Sequence, residues 1–238
     1  MPERIMLALE TSNPASGDTT PSAGVALVRW SERGEVEAIG VEWLRSVARH
    51  EDDLMPAVDR LCRCTSIRAE QIHRVAVSIG PGGYTGLRVA VTAANLIACV
   101  TGAEVVGVPT GRALAQRARG PRPVGVCLAV KGSSIWVHVE PGTGCGRLVR
   151  SSELASLGVR SLVADRFLPE DARNWADTAG IAIEQPRYDP LAVAEVAARV
   201  DPADLVLPLY AREPEAVTRW NARHPGRGSA IPPGEVTR

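Results

Sequence analysis

The sequence predicts an α/β protein made of two halves that open alike, and two observations carry that expectation. A strand, a glycine turn and a helix are legible in 75–102, VAVSIGPGGYTGLRVAVTAANLIACVTG. A buried strand followed by a hairpin partner also opens the chain and recurs near its middle, at 124–130 and 134–140. That recurrence points to an internal duplication.

Within the first stretch, Val75, Val77 and Ile79 are β-branched and fall at period two, which suits a strand packed on at least one face. The run Gly80-Pro81-Gly82-Gly83 stops the strand, and Thr85 is placed to cap a helix that runs to about Val100. Only Arg88, Thr92 and Asn95 are clearly polar in that helix, at i, i+4 and i+7, so they form one narrow stripe on an apolar cylinder. Such a helix needs cover on nearly every side. One face packs on its own sheet, and the small residues Ala90, Ala93, Ala94 and Ala98 let a second backbone approach, which can belong to another chain. The glycines have two readings. A glycine turn entering a helix presents free N–H groups and the positive end of the helix dipole, a common phosphate cradle. Equally, a sharp strand-to-helix turn needs glycine for its backbone angles. Neither the dinucleotide fingerprint nor the P-loop pattern is matched, since no Gly-Lys-Ser/Thr follows.

In chain order, 5–10 reads as a buried strand, 24–30 as its hairpin partner and 36–44 as the third strand of a meander, with a loop at 13–22. Next comes a helix over 49–64, with Leu54, Val58 and Leu61 on one face, Met55 and Cys62 on the next, and Pro56 in its first turn or kinking it. The segment SIRAEQIH reads as a short helix capped by Thr65 or Ser66. After the organising stretch, 104–108 is a strand ending at Pro109 and 112–119 a helix. The second half places its hairpin across Lys131-Gly132-Ser133, then a short strand at 162–164, an apolar helix at 191–200 and an extended piece at 205–210. These divide the chain into 1–108, 109–210 and a loose Arg-, Pro- and Gly-rich tail, 211–238.

Composition bounds function more than it selects it. At 238 residues and 45% hydrophobic the chain can bury a sizeable core. Lys+Arg and Asp+Glu both number 27, so no net field draws the molecule to nucleic acid or anionic lipid. The start MPERIMLALETS lacks a signal-peptide pattern, and no later segment is expected to reach membrane-spanning length; the expectation is a cytoplasmic protein without a membrane partner. Cys62, Cys64, Cys99, Cys127 and Cys145 are odd in number and scattered, which fits buried free thiols in a reducing compartment. His50, His73, His138 and His224 include no i, i+4 pair, so no helical zinc clamp is expected. His50 beside Glu51 and Asp52 has the chemistry of a proton-transfer group, but acids at a helix start also simply complement the dipole. Trp220 among Arg212, Arg219, Arg223 and Arg227 has the composition of a single-stranded RNA contact, or of a disordered basic tail.

Several segments resemble one family. GPGGYTGLRVAVTAANLIA resembles the Gly-Pro-Gly-Ser-Phe-Thr-Gly-hydrophobic-Arg motif of the TsaB (YeaZ) family of tRNA threonylcarbamoyladenosine biosynthesis. Arg49-His50-Glu51, followed by Leu54-Met55-Pro56-Ala57-Val58, is similar to its Arg-x-His-Ser-Glu and Leu-Leu-Pro-x-Ile helix. LALETS resembles the opening strand and PLYAR the closing Pro-x-Tyr-x-Arg. The resemblance covers the first hundred or so residues strongly and is thin between about 117 and 204. It implies duplicated ribonuclease-H-like halves of the actin-like ATPase superfamily, with mixed five-stranded sheets flanked by helices.

The resemblance also implies a role. The family's first strand ends Asp-Thr, where this chain has Glu10-Thr11, and its second-half strand runs into Asp-Ala-Arg, where this chain has Lys131-Gly132-Ser133. In catalytic members of the wider fold, acids at these hairpins help hold ATP and its metal, so a cation at Lys131 disfavours a Mg²⁺ site. The expectation is therefore a non-catalytic scaffold and activator of a TsaD-type paralogue, with no catalytic, cofactor or metal residues of its own. A TsaE-type ATPase is a further partner, tRNA is met only through the complex, and the chain alone forms a homodimer. The interface expected from the two helices comprises His50, Glu51, Leu54, Met55, Val58, Tyr84, Thr85, Arg88, Val91, Ala94, Asn95 and Ala98. The alternative is an autonomous enzyme of the fold, an ATP-dependent small-molecule kinase or a metallopeptidase-like protein, which turnover of ATP by the purified chain would reveal.

Overall fold

The computed structural model describes residues 4–12, 23–31, 33–45, 53–142, 144–212, 219–220 and 223–224. The first sheet begins with the expected meander, β1 (Arg4–Glu10), β2 (Gly24–Trp30) and β3 (Val36–Trp43), paired antiparallel in turn. Helix α1 (Leu54–Thr65) then leads to β4 (Ile72–Gly80), which joins β1 in parallel, and α2 (Tyr84–Thr101) leads to β5 (Glu104–Pro109), parallel to β4. The order is β3-β2-β1-β4-β5. Helix α3 (Thr110–Gln116) passes to the second sheet, formed by β6 (Val124–Lys131), β7 (Ser134–Glu140), β8 (Arg147–Arg150), β9 (Ser161–Ala164) and β10 (Ala182–Glu184). Helix α4 (Glu170–Thr178) connects its last two strands, and α5 (Pro190–Ala197) follows.

The second sheet runs β10-β9-β6-β7-β8, with β6–β7 and β7–β8 antiparallel and β6–β9 and β9–β10 parallel. Read from β8, this is the first sheet's order repeated strand for strand, so the duplication expected from the two hairpins is present as two ribonuclease-H-like halves in the actin-like arrangement.

Burial on both faces explains why β1 is apolar from Ile5 to Leu9. Leu7 and Leu9 lie with Val25, Leu27, Val75 and Val77 under α1 and α2, whereas Met6 and Ala8 lie with Val28, Ala76 and Val106 under α5. Helix α5 thus returns to the first sheet, past the second half. Arg74 fastens it there: its guanidinium donates to Glu104 Oε2 at 2.6 Å and to the carbonyl of Ala197 at 2.9 Å, and stacks 4.1 Å from the Trp30 ring.

Several local expectations need correction. Ser66 takes a left-handed backbone (φ 57°) and closes α1 at its C-terminus, so it caps no following helix; only a 3₁₀ turn, Ala69–Gln71, precedes β4. Pro56 sits in the first turn of α1, where its missing N–H has no intrahelical acceptor to lose. Gly83, not Thr85, is the N-cap of α2, and no side chain caps that end. The 205–210 piece pairs with no strand; a single antiparallel bridge, Val105 to Ala203, precedes it. Of the five cysteines expected to be buried, only Cys127 is, while Cys64 and Cys99 are exposed. Finally, the expectation that no segment reaches spanning length fails at α2, whose 18 residues have a mean hydropathy of 1.3 and meet the length and composition of a bilayer span. In this fold Gly86, Leu87, Ala90, Val91, Ala94 and Ala98 of α2 are buried, and the helix lies against β4.

Candidate docking face and the closed glycine turn

The turn between β4 and α2 decides between the two readings of its glycines. The Gly83 N–H, first of those available to a phosphate, donates to the Ser12 carbonyl at 2.5 Å. A Cβ built on Gly82 would stand 1.8 Å from that same oxygen. Glycine is needed because the end of β1 fills the turn, and the Thr11 hydroxyl extends the contact by donating to the Gly86 carbonyl at 3.1 Å. The turn is structural.

Glu10, the acid at the end of β1, is fully buried. Its Oε1 accepts from Ser12 N at 2.7 Å and Ser12 Oγ at 2.6 Å, while Oε2 has no partner among the described residues. Burial pushes the carboxyl above its ordinary range, and the Ser12 hydrogen bonds offset only part of that. With a raised folded pKa, the stability that the protonated acid keeps is full below the unfolded value and is lost as pH rises through the folded one. Between about pH 5 and about pH 8, Glu10→Gln is therefore expected to gain stability relative to wild type as pH rises, read by denaturant unfolding. A constant difference across that range would show that the carboxyl is not held in its neutral form.

Neither the glycine turn nor the Glu10 carboxyl has the form of a phosphate or divalent-ion site. The turn has no space for a phosphate, and the Glu10 carboxyl is enclosed with one oxygen engaged. Among the described residues no three His, Cys, Asp or Glu side chains gather as a metal site.

The surface over α1 and α2 is of another kind. Nine large hydrophobic side chains are exposed among the described residues, and six of them, Met55, Tyr84, Leu96, Val100, Leu205 and Leu207, lie on α1, α2 and the 205–210 strap. Between the helices runs a groove of about 460 Å³ lined by Met55, Val89, Ala93, Leu96 and Ile97, with Arg88 and Thr92 its polar members. The strap is tied along the other flank of α2. The Asn95 side chain donates to the Val206 carbonyl at 2.9 Å and accepts its N–H at 3.0 Å, and Leu209 N–H reaches the Ile79 carbonyl at 2.8 Å. Arg88 Nε donates to Tyr210 Oη at 3.0 Å, and its guanidinium carbon sits 4.0 Å over the Tyr84 ring.

The twelve interface residues expected from the sequence divide accordingly. Met55, Tyr84, Thr85 and Arg88 are exposed on this face. Leu54, Val58, Val91, Ala94 and Ala98 are buried in the core cluster beneath α1 and α2, so they are corrected from contact residues to core residues. Asn95 is half-buried and spent on the strap. His50 and Glu51 lie outside the described residues, as do Arg49 and the 13–22 loop. Leu96, Val100, Leu205 and Leu207 were not in the expected set; continuing the helical period from Arg88 and Thr92 to 96 finds the first, whereas the strap leucines needed the fold.

Comparisons with known proteins bear on both features. A family model described as TsaD, tRNA N6-adenosine threonylcarbamoyltransferase, matches residues 40–137, a span that contains both α1 and α2. The tRNA threonylcarbamoyladenosine biosynthesis protein TsaB of Bacillus subtilis (strain 168) is 30% identical over 114 residues, which are 48% of this chain and 44% of that protein. The match thus spans under half the length of that relative. Among solved structures, a Pseudomonas aeruginosa protein described as similar to peptidase YEAZ superposes with a TM-score of 0.65 at 20% identity, over 88% of this chain and 100% of that one. YeaZ from Pseudomonas aeruginosa superposes at 0.60 and 18% identity, over 87% and 99%. The chain is thus similar in sequence to TsaB over less than half of either protein and shares its fold with the two YeaZ-type structures.

Proposed function

We propose that this chain acts in threonylcarbamoyladenosine modification of tRNA as a non-catalytic partner of a TsaD-type paralogue, docking through the groove between α1 and α2. The observation that carries the reading is that six of the nine large apolar side chains exposed among the described residues lie on α1, α2 and the strap beside α2, two of them, Met55 and Leu96, in the groove itself. Each such side chain forgoes roughly 1.5–3 kcal/mol while it faces water, and a patch of that kind marks an association surface. The occupant is argued from sequence. The TsaD description matches the stretch that carries both helices, so a paralogue of that type has a homologous helix pair to lay against this one. When alone, a second copy covers the same face, with on the order of 800 Å² buried per chain. The domain division at 108 and 210, a cytoplasmic location, a TsaE-type ATPase as third component and access to tRNA through the complex belong to the same proposal.

Leu96→Glu places a charge at the centre of the groove rim and touches no core residue. The variant is expected to keep its circular dichroism spectrum and to lose pairing with the TsaD-type protein by at least roughly 30-fold in light scattering or ultracentrifugation. A folded Leu96→Glu that pairs as wild type, or ATP turnover by the purified chain alone, would overturn the reading.

A further inference from the structure

Arg88, the one cation among the described lining residues of the groove, is held from two sides. Arg88 is flanked by two tyrosines whose centroids are 5.1 Å apart, Tyr84 beneath its guanidinium and Tyr210 accepting from Nε. Tyr210 is itself fixed, because the preceding strap is pinned by Asn95 and by Leu209. The two terminal nitrogens of Arg88 make no hydrogen bond among the described residues, and the rest of the groove lining, Met55, Val89, Thr92, Ala93, Leu96 and Ile97, contains no carboxylate. A guanidinium already ordered by a ring and a hydrogen bond loses little side-chain entropy on meeting a carboxylate, and in a groove that binding dries the charge-assisted pair is strong.

Resting on the docking role proposed above, we infer that Arg88 is the specificity anchor of the face: it reads a carboxylate on the partner's helix, and it favours a heterologous partner over a second copy. Two copies laid groove to groove bring a second Arg88 and no acid from the described lining residues of either copy. An unpaired guanidinium desolvated on both sides is a cost to self-association, and a partner that supplies Asp or Glu removes it. Tyr84 and Tyr210 are positioning residues that hold the guanidinium in its reading geometry.

The test compares Arg88→Leu with wild type in two measurements, pairing with the TsaD-type protein of the same genome and self-association, each over a series of salt concentrations. The expected result has opposite signs. The mixed pair weakens by roughly 10-fold or more and its salt dependence flattens, while self-association is unchanged or tighter. Tyr210→Phe, which loses only the hydroxyl, is expected to weaken the mixed pair by about 3-fold with no loss of the homodimer. Equal weakening of both assemblies by Arg88→Leu, or weakening of neither, overturns the inference. The Leu96→Glu variant keeps the two failures apart: if it abolishes mixed pairing while Arg88→Leu changes nothing, the docking face stands and only the anchor falls.

Discussion

Ala94→Glu is expected to unfold the protein, although the sequence pattern alone makes Ala94 a contact residue on the outer face of α2. Ala94 is fully buried in the cluster shared by β1, β2, β4 and the two helices. A carboxylate placed there meets only apolar neighbours and costs about 3–5 kcal/mol, most of the stability of an ordinary domain at roughly 5–15 kcal/mol. Thermal melts followed by circular dichroism should show a large loss of transition temperature or no cooperative transition. Leu96→Glu, two residues and about 200° further round the helix, is the contrast. If both variants melted alike, the assignment of the helix faces would be wrong.

Gly82→Ala is the second large effect. The new Cβ would stand 1.8 Å from the Ser12 oxygen and 2.6 Å from its carbonyl carbon. Both are backbone atoms at the end of a central strand, so no side-chain rotation relieves the clash. Either the start of α2 or the end of β1 must move, and the Gly83–Ser12 hydrogen bond is lost with it. A cost of about 3 kcal/mol or more is expected. Gly102→Ala calibrates this. Nothing lies within 4 Å of a Cβ at Gly102, but its φ is +73°, so the cost is only that of a left-handed alanine, about 1 kcal/mol. Equal destabilisation of the two variants would mean that the Ser12 backbone yields to the new methyl group, and that crowding does not require glycine at 82.

What was legible in the sequence follows the strength of its periodic signals. The meander, β4, α2 and both hairpin openings rest on continuous apolar runs or clean alternation, which a strand buried on one or both faces imposes. The elements not foreseen are short or weakly apolar. Strand β8 is the four residues RLVR at an edge, β10 has three residues, and α4, EDARNWADT, buries only Ala172 and Ala176. A helix that buries two alanines and packs only Trp175 beside them leaves a weak apolar period to detect.

The sequence by itself determined the α/β class, the duplication and the two helices proposed to carry the docking face, because local periodicity encodes which residues must leave water. It could not determine which neighbour covers them. A helix apolar on nearly every side gives a weak directional signal, so only the position of the sheet decided that Ala94 and Ala98 face inward and Leu96 and Val100 outward. The same holds for contacts between residues far apart in the chain. That Ser12 fills the glycine turn, that α5 crosses back to the first sheet, and that Tyr210 comes to hold Arg88 at a separation of 122 residues are set by packing among distant segments, which no local pattern records.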